Sequence, residues 1–227
     1  MPTSPCASHS SRQVAAFFDL DGTLVVGQTT ALLVKFLYKE KLLSLGFMLG
    51  TMVWFAAYKS GVVRLTEGAR ERGARVFADL PVEQVDEAAK RFVDECLLPR
   101  LHEKAVGALN KHLAAGHRVA IISAALEPVV KAFCARLGVS DFVSTIPEVH
   151  NGRYTGRFAG PVPSSEEKAK AAQTFLDRWG VLPEDAWAYA DHETDIPLLR
   201  SVGHPVAVNP RPGLLRVARE AGWPVMV

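Results

Sequence analysis

Cysteine is scarce in this chain: three residues in 227, Cys6, Cys96 and Cys134, with no C-x-x-C pair among them. That number and spacing exclude a disulfide framework and a cysteine-based zinc knuckle. Cys96 and Cys134 fall on apolar helical faces and read as small buried hydrophobes. A surplus of one charge is also missing. Lys and Arg number 26 against 24 Asp and Glu, a formal net charge of +2, which leaves no broad electrostatic footprint for nucleic acid. The first twelve residues, MPTSPCASHSSR, lack the charged start and apolar run of a secretory signal and read as a frayed tail. The expected compartment is the cytoplasm. There is no internal repeat and, beyond the tail, no low-complexity segment.

What is present is ample apolar material. The chain is 48% hydrophobic and 22% charged, with a mean hydropathy of +0.10, enough for a sizeable core and too apolar for intrinsic disorder. The length exceeds the usual single domain and falls short of two, which suits one core carrying a smaller module. Val14 to Phe18 is an unbroken apolar run stopped by an Asp-Gly turn, as in a central strand of a parallel sheet. Residues 28–100 then show helical patterns with no strand signal, ending in a helix that opens at Pro81 and closes by Pro99. From 101 onward strands alternate with helices: helix 104–115, strand 119–122, helix 127–137, strand 142–145, helix 166–179, strand 187–190, helix 196–201, strand 205–208 and helix 214–221. Asn151-Gly152 marks a hairpin turn. This grammar predicts a three-layer α/β/α core with a parallel sheet, built from 13–27 and 101–227 and interrupted by an all-helical insertion at 28–100.

The chemistry-bearing residues sit where open α/β sheets place their sites, beyond the carboxyl ends of strands. Asp19 and Asp21 follow the first strand. Two apart in an extended chain, they face one side. Asp191 and Asp195 follow strand 187–190 and share a face at a helix start. Like charges gathered in one crevice repel unless a cation joins them, and a few hard oxygens with room for water and phosphate suit Mg²⁺. A lone DxD or DxxD is usually a turn or a cap. Here each is matched by further signals: Ser123-Ala124 at the end of strand 119–122, and Lys168 at the start of helix 166–179. Caps alone do not account for two acidic clusters, a serine and a lysine in that order.

On these residues the sequence resembles the haloacid dehalogenase (HAD) superfamily of phosphatases. FFDLDGTL at 17–24 is similar to that family's first motif, Ser123 in VAIISAA to the second, Lys168 to the third, and Asp191 with Asp195 in YADHETD to the fourth. The resemblance covers the chain from about residue 13. The helical insertion is similar to the cap of the phosphoserine-phosphatase-like branch, and the Rossmann-like core follows with it. The resemblance implies that Asp19 is the nucleophile and forms an aspartyl-phosphate. Asp21 would be the acid and then the base. Mg²⁺ would be held by Asp19, the Asp21 backbone carbonyl and Asp191, with Asp195 in support. Thr23, Ser123, the Ala124 N–H and Lys168 would bind the phosphoryl oxygens. Ala190 stands where the family has glycine, and His192 and Glu193 where small residues are common. Lys170 is the alternative to Lys168.

The insertion bears on substrate. In phosphoserine phosphatases a glutamate nine residues after the nucleophile engages the substrate amine; here that position is Gln28. The arginine that reads the serine carboxylate has only Arg72 and Arg75 as nearby candidates. Together with His192 these are the tentative specificity residues. The expected substrate is a small phosphate ester, phosphoserine-like or histidinol-phosphate-like. The insertion also contains Leu42 to Tyr58, seventeen residues without a charge between Lys41 and Lys59. That is at the lower limit for a membrane span, and Gly46, Gly50, Ser44 and Thr51 interrupt it. A buried cap helix is the expected reading. A homodimer face, or a surface that touches a membrane or the tail of a lipid phosphate, is the alternative. Two other function classes compete with hydrolysis: a non-catalytic phospho-acceptor module, which has no need of Asp21, and transfer to another acceptor.

Overall fold

The computed structural model describes residues 13–59 and 75–227. Its centre is a sheet of six parallel strands. In chain order these are β1 (Ala15–Phe18), β2 (Arg118–Leu126), β3 (Asp141–Thr145), then, after a hairpin of β4 (Pro147–His150) and β5 (Arg153–Phe158), β6 (Ala186–Ala190), β7 (His204–Val208) and β8 (Val225–Met226). They lie in the order β3-β2-β1-β6-β7-β8. The direction of winding reverses between β1 and β6, and the carboxyl ends on either side of such a switch point frame a crevice.

β1 explains the core. All four of its residues are buried, and alternation sends them to opposite faces. Phe17 joins a cluster with Ala172, Phe175 and Leu176, while Phe18 joins the larger cluster on the other side with Ile121, Val129 and Phe133. Phe17 stacks on Trp179 with ring centroids 5.9 Å apart, and Phe18 stacks on Tyr189 at 4.3 Å. The strand that ends in Asp19 is therefore clamped by aromatic rings above and below.

Among the described residues of 28–100 the regular elements are helical: α1 (Thr29–Lys39), α2 (Leu45–Lys59) and α3 (Val82–Phe92). The helix predicted to reach Pro99 stops being α at Phe92 and continues as a π turn to Leu97 and a 3₁₀ turn to Arg100. Pro99 has no N–H to give and crowds the carbonyl four residues back, so the α ladder loosens ahead of it. The chain leaves and re-enters the core side by side. Val26 N donates to Arg100 O at 2.8 Å and His102 N to Leu24 O at 2.9 Å. The hairpin grips the helical block from the other side, with Asp79 N donating to Tyr154 O at 2.9 Å and Tyr154 N to Leu80 O at 3.1 Å.

Helix α2 corrects the expectation of a buried segment. Leu42, Leu43, Phe47 and Met48 pack against the core, but Leu45 (51% exposed), Leu49 (52%) and Val53 (70%) form an open row four residues apart along its outer face. A helix apolar on every side cannot bury all of them against one neighbour. Among the described residues no helix is long and apolar enough to cross a membrane.

The remaining helices are α4 (Glu103–Ala114), α5 (Glu127–Leu137), α6 (Glu166–Trp179), α7 (Ile196–Arg200) and α8 (Pro212–Glu220). Two strands differ from the sequence expectation. β2 runs on through Ser123-Ala124 to Leu126, with a register shift between Ile122 and Leu126 against β3. β8, only two residues long, pairs with the edge of β7. Asn151 and Gly152 both have positive φ (48° and 73°), as a tight hairpin turn requires. Because Phe17 is fully buried between rings, Phe17→Ala is expected to cost about 3–5 kcal/mol, read as a lower urea midpoint with an unchanged slope.

Candidate active site

Strand register builds the site. Phe18 is level with Ile121 of β2 and Tyr189 of β6, so Asp19, Ser123 and Asp191 all emerge within two residues of the last shared level, across the switch point. Asp19 N donates to Tyr189 O at 3.0 Å, which holds the first carboxylate at the edge. Asp19, Asp191 and Asp195 are buried and converge, each offering an oxygen within 4.8 Å of the others'.

Lys168, in the first turn of α6, reaches this cluster from beneath. Its Nζ lies 2.7 Å from Asp19 Oδ1 and 2.7 Å from Asp195 Oδ1. The contact to Asp19 is an aligned hydrogen bond; that to Asp195 is close in distance only, and Asp195 Oδ1 has no hydrogen-bond donor. Burial works against the Lys168 ammonium, but the carboxylates of Asp19 and Asp195 outweigh it and raise its pKa above the ordinary lysine value. Burial also raises Asp19, and the nearby Asp195 charge adds to it, more than Lys168 offsets. Asp191 is pushed up to about 7, by desolvation first and then by Asp19 and Asp195. Lys170, the alternative lysine, is exposed and pairs with Glu167 at 2.8 Å.

Asp21 faces elsewhere. Its Oδ1 accepts from Thr29 N at 2.6 Å and its Oδ2 from Thr29 Oγ1 at 3.0 Å. The carboxylate thus caps α1 from a distance, in place of Gln28, the residue preceding that helix, which makes no side-chain cap bond. Desolvation raises Asp21 to about 6, with the Thr29 N–H pulling the other way. The turn between Asp19 and Thr29 depends on Gly22. Its φ of +84° favours glycine, and a Cβ there would lie 2.2 Å from Asp191 Oδ2.

Around these carboxylates stand hydroxyls. Ser123, 1% exposed, accepts from Ala125 N at 3.1 Å, while the Ala124 carbonyl accepts from Thr145 Oγ1 at 2.7 Å. Thr23 is fully buried and its Oγ1 has no partner. His192 Nδ1 accepts from Thr194 N at 3.1 Å, so its ring starts the short turn after β6. Its pKa is lowered, chiefly by burial, with Glu193 opposing. Arg75 opens a 3₁₀ turn near the hairpin, and Arg72 lies outside the described residues. Two residues that sequence reasoning passed over touch the site. Thr29 binds Asp21, and Arg211, in the loop after β7, lies with its Nε 3.7 Å from Asp191 Oδ2. Arg211 follows the next strand's carboxyl end, which was the available signal.

A divalent cation fits this donor set. Three buried carboxylates converge with one lysine between them, and two buried polar oxygens, Asp195 Oδ1 and Thr23 Oγ1, receive no hydrogen bond.

The fold and the site define a hydrolase of the haloacid dehalogenase-like class, and residues 16–200 match the family model of that description. The chain belongs to this family, and it is a phosphatase. It is 30% identical to a probable phosphatase of Mycobacterium tuberculosis (strain ATCC 25618 / H37Rv), over 99% of this chain and 79% of that one. It is 28% identical to a histidinol-phosphatase of Neisseria meningitidis serogroup C, over 93% of this chain and 97% of the relative. Among solved structures, a protein of unknown function from Bordetella pertussis Tohama I superposes with a TM-score of 0.84 at 28% identity, covering 96% of this chain and 99% of the other.

Two outcomes test this geometry. Gly22→Ala should lower both Tm and activity, since Asp191 must move and a left-handed φ is strained. A Gly22→Ala protein with wild-type activity would contradict the close approach. The second concerns pH. Asp21 and Asp191 have folded values of about 6 and about 7 against an ordinary 3.8. A carboxyl raised on folding stabilises below its unfolded pKa, and that contribution is lost as pH rises through the folded value. In chelator, the contribution of these groups to Tm should therefore fall from about pH 4 to about pH 7, and added Mg²⁺ should raise Tm more at the upper end. A Mg²⁺ effect independent of pH would contradict it.

Proposed function

We propose that the protein is a Mg²⁺-dependent phosphomonoesterase acting on a small phosphorylated metabolite through an aspartyl-phosphate. The observation that carries the reading is the double engagement of Asp19, which shares one buried crevice with Asp191 and Asp195 and accepts a 2.7 Å hydrogen bond from Lys168. An Asp19 oxygen attacks phosphorus as the bond to the ester oxygen breaks, and Asp21 gives its proton to the departing alkoxide. A water that loses its proton to Asp21 then attacks phosphorus and frees Asp19. Lys168, Ser123, the Ala124 N–H and Thr23 neutralise the phosphoryl oxygens where charge gathers. The residues that would hold Mg²⁺ are Asp19, Asp191 and Asp195 with the Asp21 carbonyl, and the ion would supply charge that stabilises the transferring group.

Asp21 fits the acid and base roles in its environment, since desolvation raises its carboxyl to about 6, closer to neutral pH than an ordinary carboxyl. Family membership in a class of hydrolases disfavours the non-catalytic phospho-acceptor. Residues 28–100 are taken as the cap, with Gln28 at its start. Gln28 carries no charge to pair with a substrate ammonium, a group that phosphoserine and histidinol phosphate share, so both kinds of ester stay within the reading. A second reading, a lipid-phosphate phosphatase, is favoured by the open row of Leu45, Leu49 and Val53 on α2.

With Mg²⁺, a panel of histidinol phosphate, phosphoserine, glycerol phosphates and lysophosphatidate separates these. Turnover should be highest on a small ester; preference for lysophosphatidate would establish the second reading. Asp19→Asn should abolish turnover, and Asp21→Asn should lower it by about 10²–10⁴-fold. Full activity of Asp19→Asn would end the nucleophile assignment.

A further inference from the structure

Arg211 has no place in the chemistry above, yet its backbone is among the most constrained at the site. Pro210 and Pro212 flank it, and each restricts the local backbone. Asn209, two residues before Arg211, has a φ of 38° and donates its N–H to Met226 O at 2.7 Å. Arg211 N itself donates to Asp191 O at 2.9 Å. The residue is thus fixed to the backbone of Asp191, and its guanidinium bends back towards the carboxylate of that same residue, 3.7 Å away.

The length of that contact matters. At 3.7 Å it is a charge contact and not a directed hydrogen bond. Among the described residues no side chain donates a hydrogen bond to the Asp191 carboxylate, so Arg211 is its nearest compensating charge. The Arg211 side chain is 42% exposed, whereas that of Lys168, 7% exposed, serves Asp19 and Asp195 from within. The two cations divide the acidic cluster between them.

Resting on the reading of Asp19, Asp191 and Asp195 as a divalent-cation site, we propose that Arg211 is a positioning residue that competes with the divalent cation for Asp191 and so sets the affinity of the site. Two positive groups addressing one carboxylate oppose each other, and the half-exposed position makes that opposition sensitive to salt. The backbone hydrogen bond keeps the loop in place when the side chain is changed, so the charge can be removed without releasing Asp191.

The test is Mg²⁺ binding, measured by calorimetry and by Tm titration on the full chain, for wild type, Arg211→Gln and Arg211→Lys. It is run at pH 8.5, above the Asp191 value of about 7, so that protons do not compete. In low salt Arg211→Gln should bind Mg²⁺ about three- to tenfold more tightly than wild type. The gap should narrow in 0.5 M KCl, where the Debye length falls to about 4–5 Å, and Arg211→Lys should behave as wild type. Equal or weaker binding by Arg211→Gln, or a gap that salt does not move, overturns the inference about Arg211. Absence of saturable Mg²⁺ binding in wild type overturns the cation-site reading as well, so the two failures are distinct.

Discussion

Everything at the site follows from a buried lysine held between two carboxylates. Lys168 Nζ sits 2.7 Å from both Asp19 and Asp195, and Asp191 shares the same crevice. An ammonium buried to this depth costs several kcal/mol in desolvation unless its partners are close and charged, and the carboxylates cost the same without it. The group is stable only as a set. Lys168 and Arg211 do not balance three carboxylates, and after desolvation the neighbouring carboxylate charges are the next cause of the raised Asp191 pKa. A site left electrostatically incomplete by its own side chains is suited to take up a cation and a phosphate together. Structural ion pairs, by contrast, are built to balance.

That requirement passes down into the fold. Lys168 must approach from helix α6, on the face of the sheet where Phe17 packs against Phe175 and stacks on Trp179 of the same helix. The ring contacts fix α6 against β1, and so fix the distance from Lys168 to Asp19, the residue one step past Phe18. On the other face, Phe18 stacks on Tyr189, whose carbonyl receives the Asp19 N–H. Packing in the core is what sets the geometry of the charges. Gly22 completes the arrangement, because only a residue without a Cβ leaves room for Asp191 beside the turn.

The parts of this architecture legible in the sequence were those with a local cause. β1, α5, α6 and the Asn151-Gly152 turn were marked by apolar runs, periodicity and glycine stops. Asp19, Lys168, Asp191 and Asp195 could be placed together because each follows a strand end or opens a helix. What was not legible has a non-local cause. β2 extends past Ser123 because β3 offers it an edge with a shifted register, and β8 exists only as a two-residue addition to β7. The outer row of α2 looked like core because hydropathy records a residue's nature and not how many faces its neighbours cover. Arg211 escaped notice because its place after a strand's carboxyl end does not by itself say that the loop after β7 turns back over β6.

The side chain of Asp21 shows how the two halves of the molecule are linked. Both its oxygens are committed to Thr29, the first residue of α1, and thus to the first helix of the insertion. The positive end of a helix dipole and an exposed N–H favour an ionised carboxylate, while burial favours a protonated one; burial prevails. Where α1 stays seated, the Asp21 carboxyl is held by Thr29. The chain crosses between core and insertion only beside this point, through the paired segments at Leu24–Val26 and Arg100–His102. The residue proposed as acid and base is thus tied by two hydrogen bonds to the helix that follows the point where the chain leaves the core.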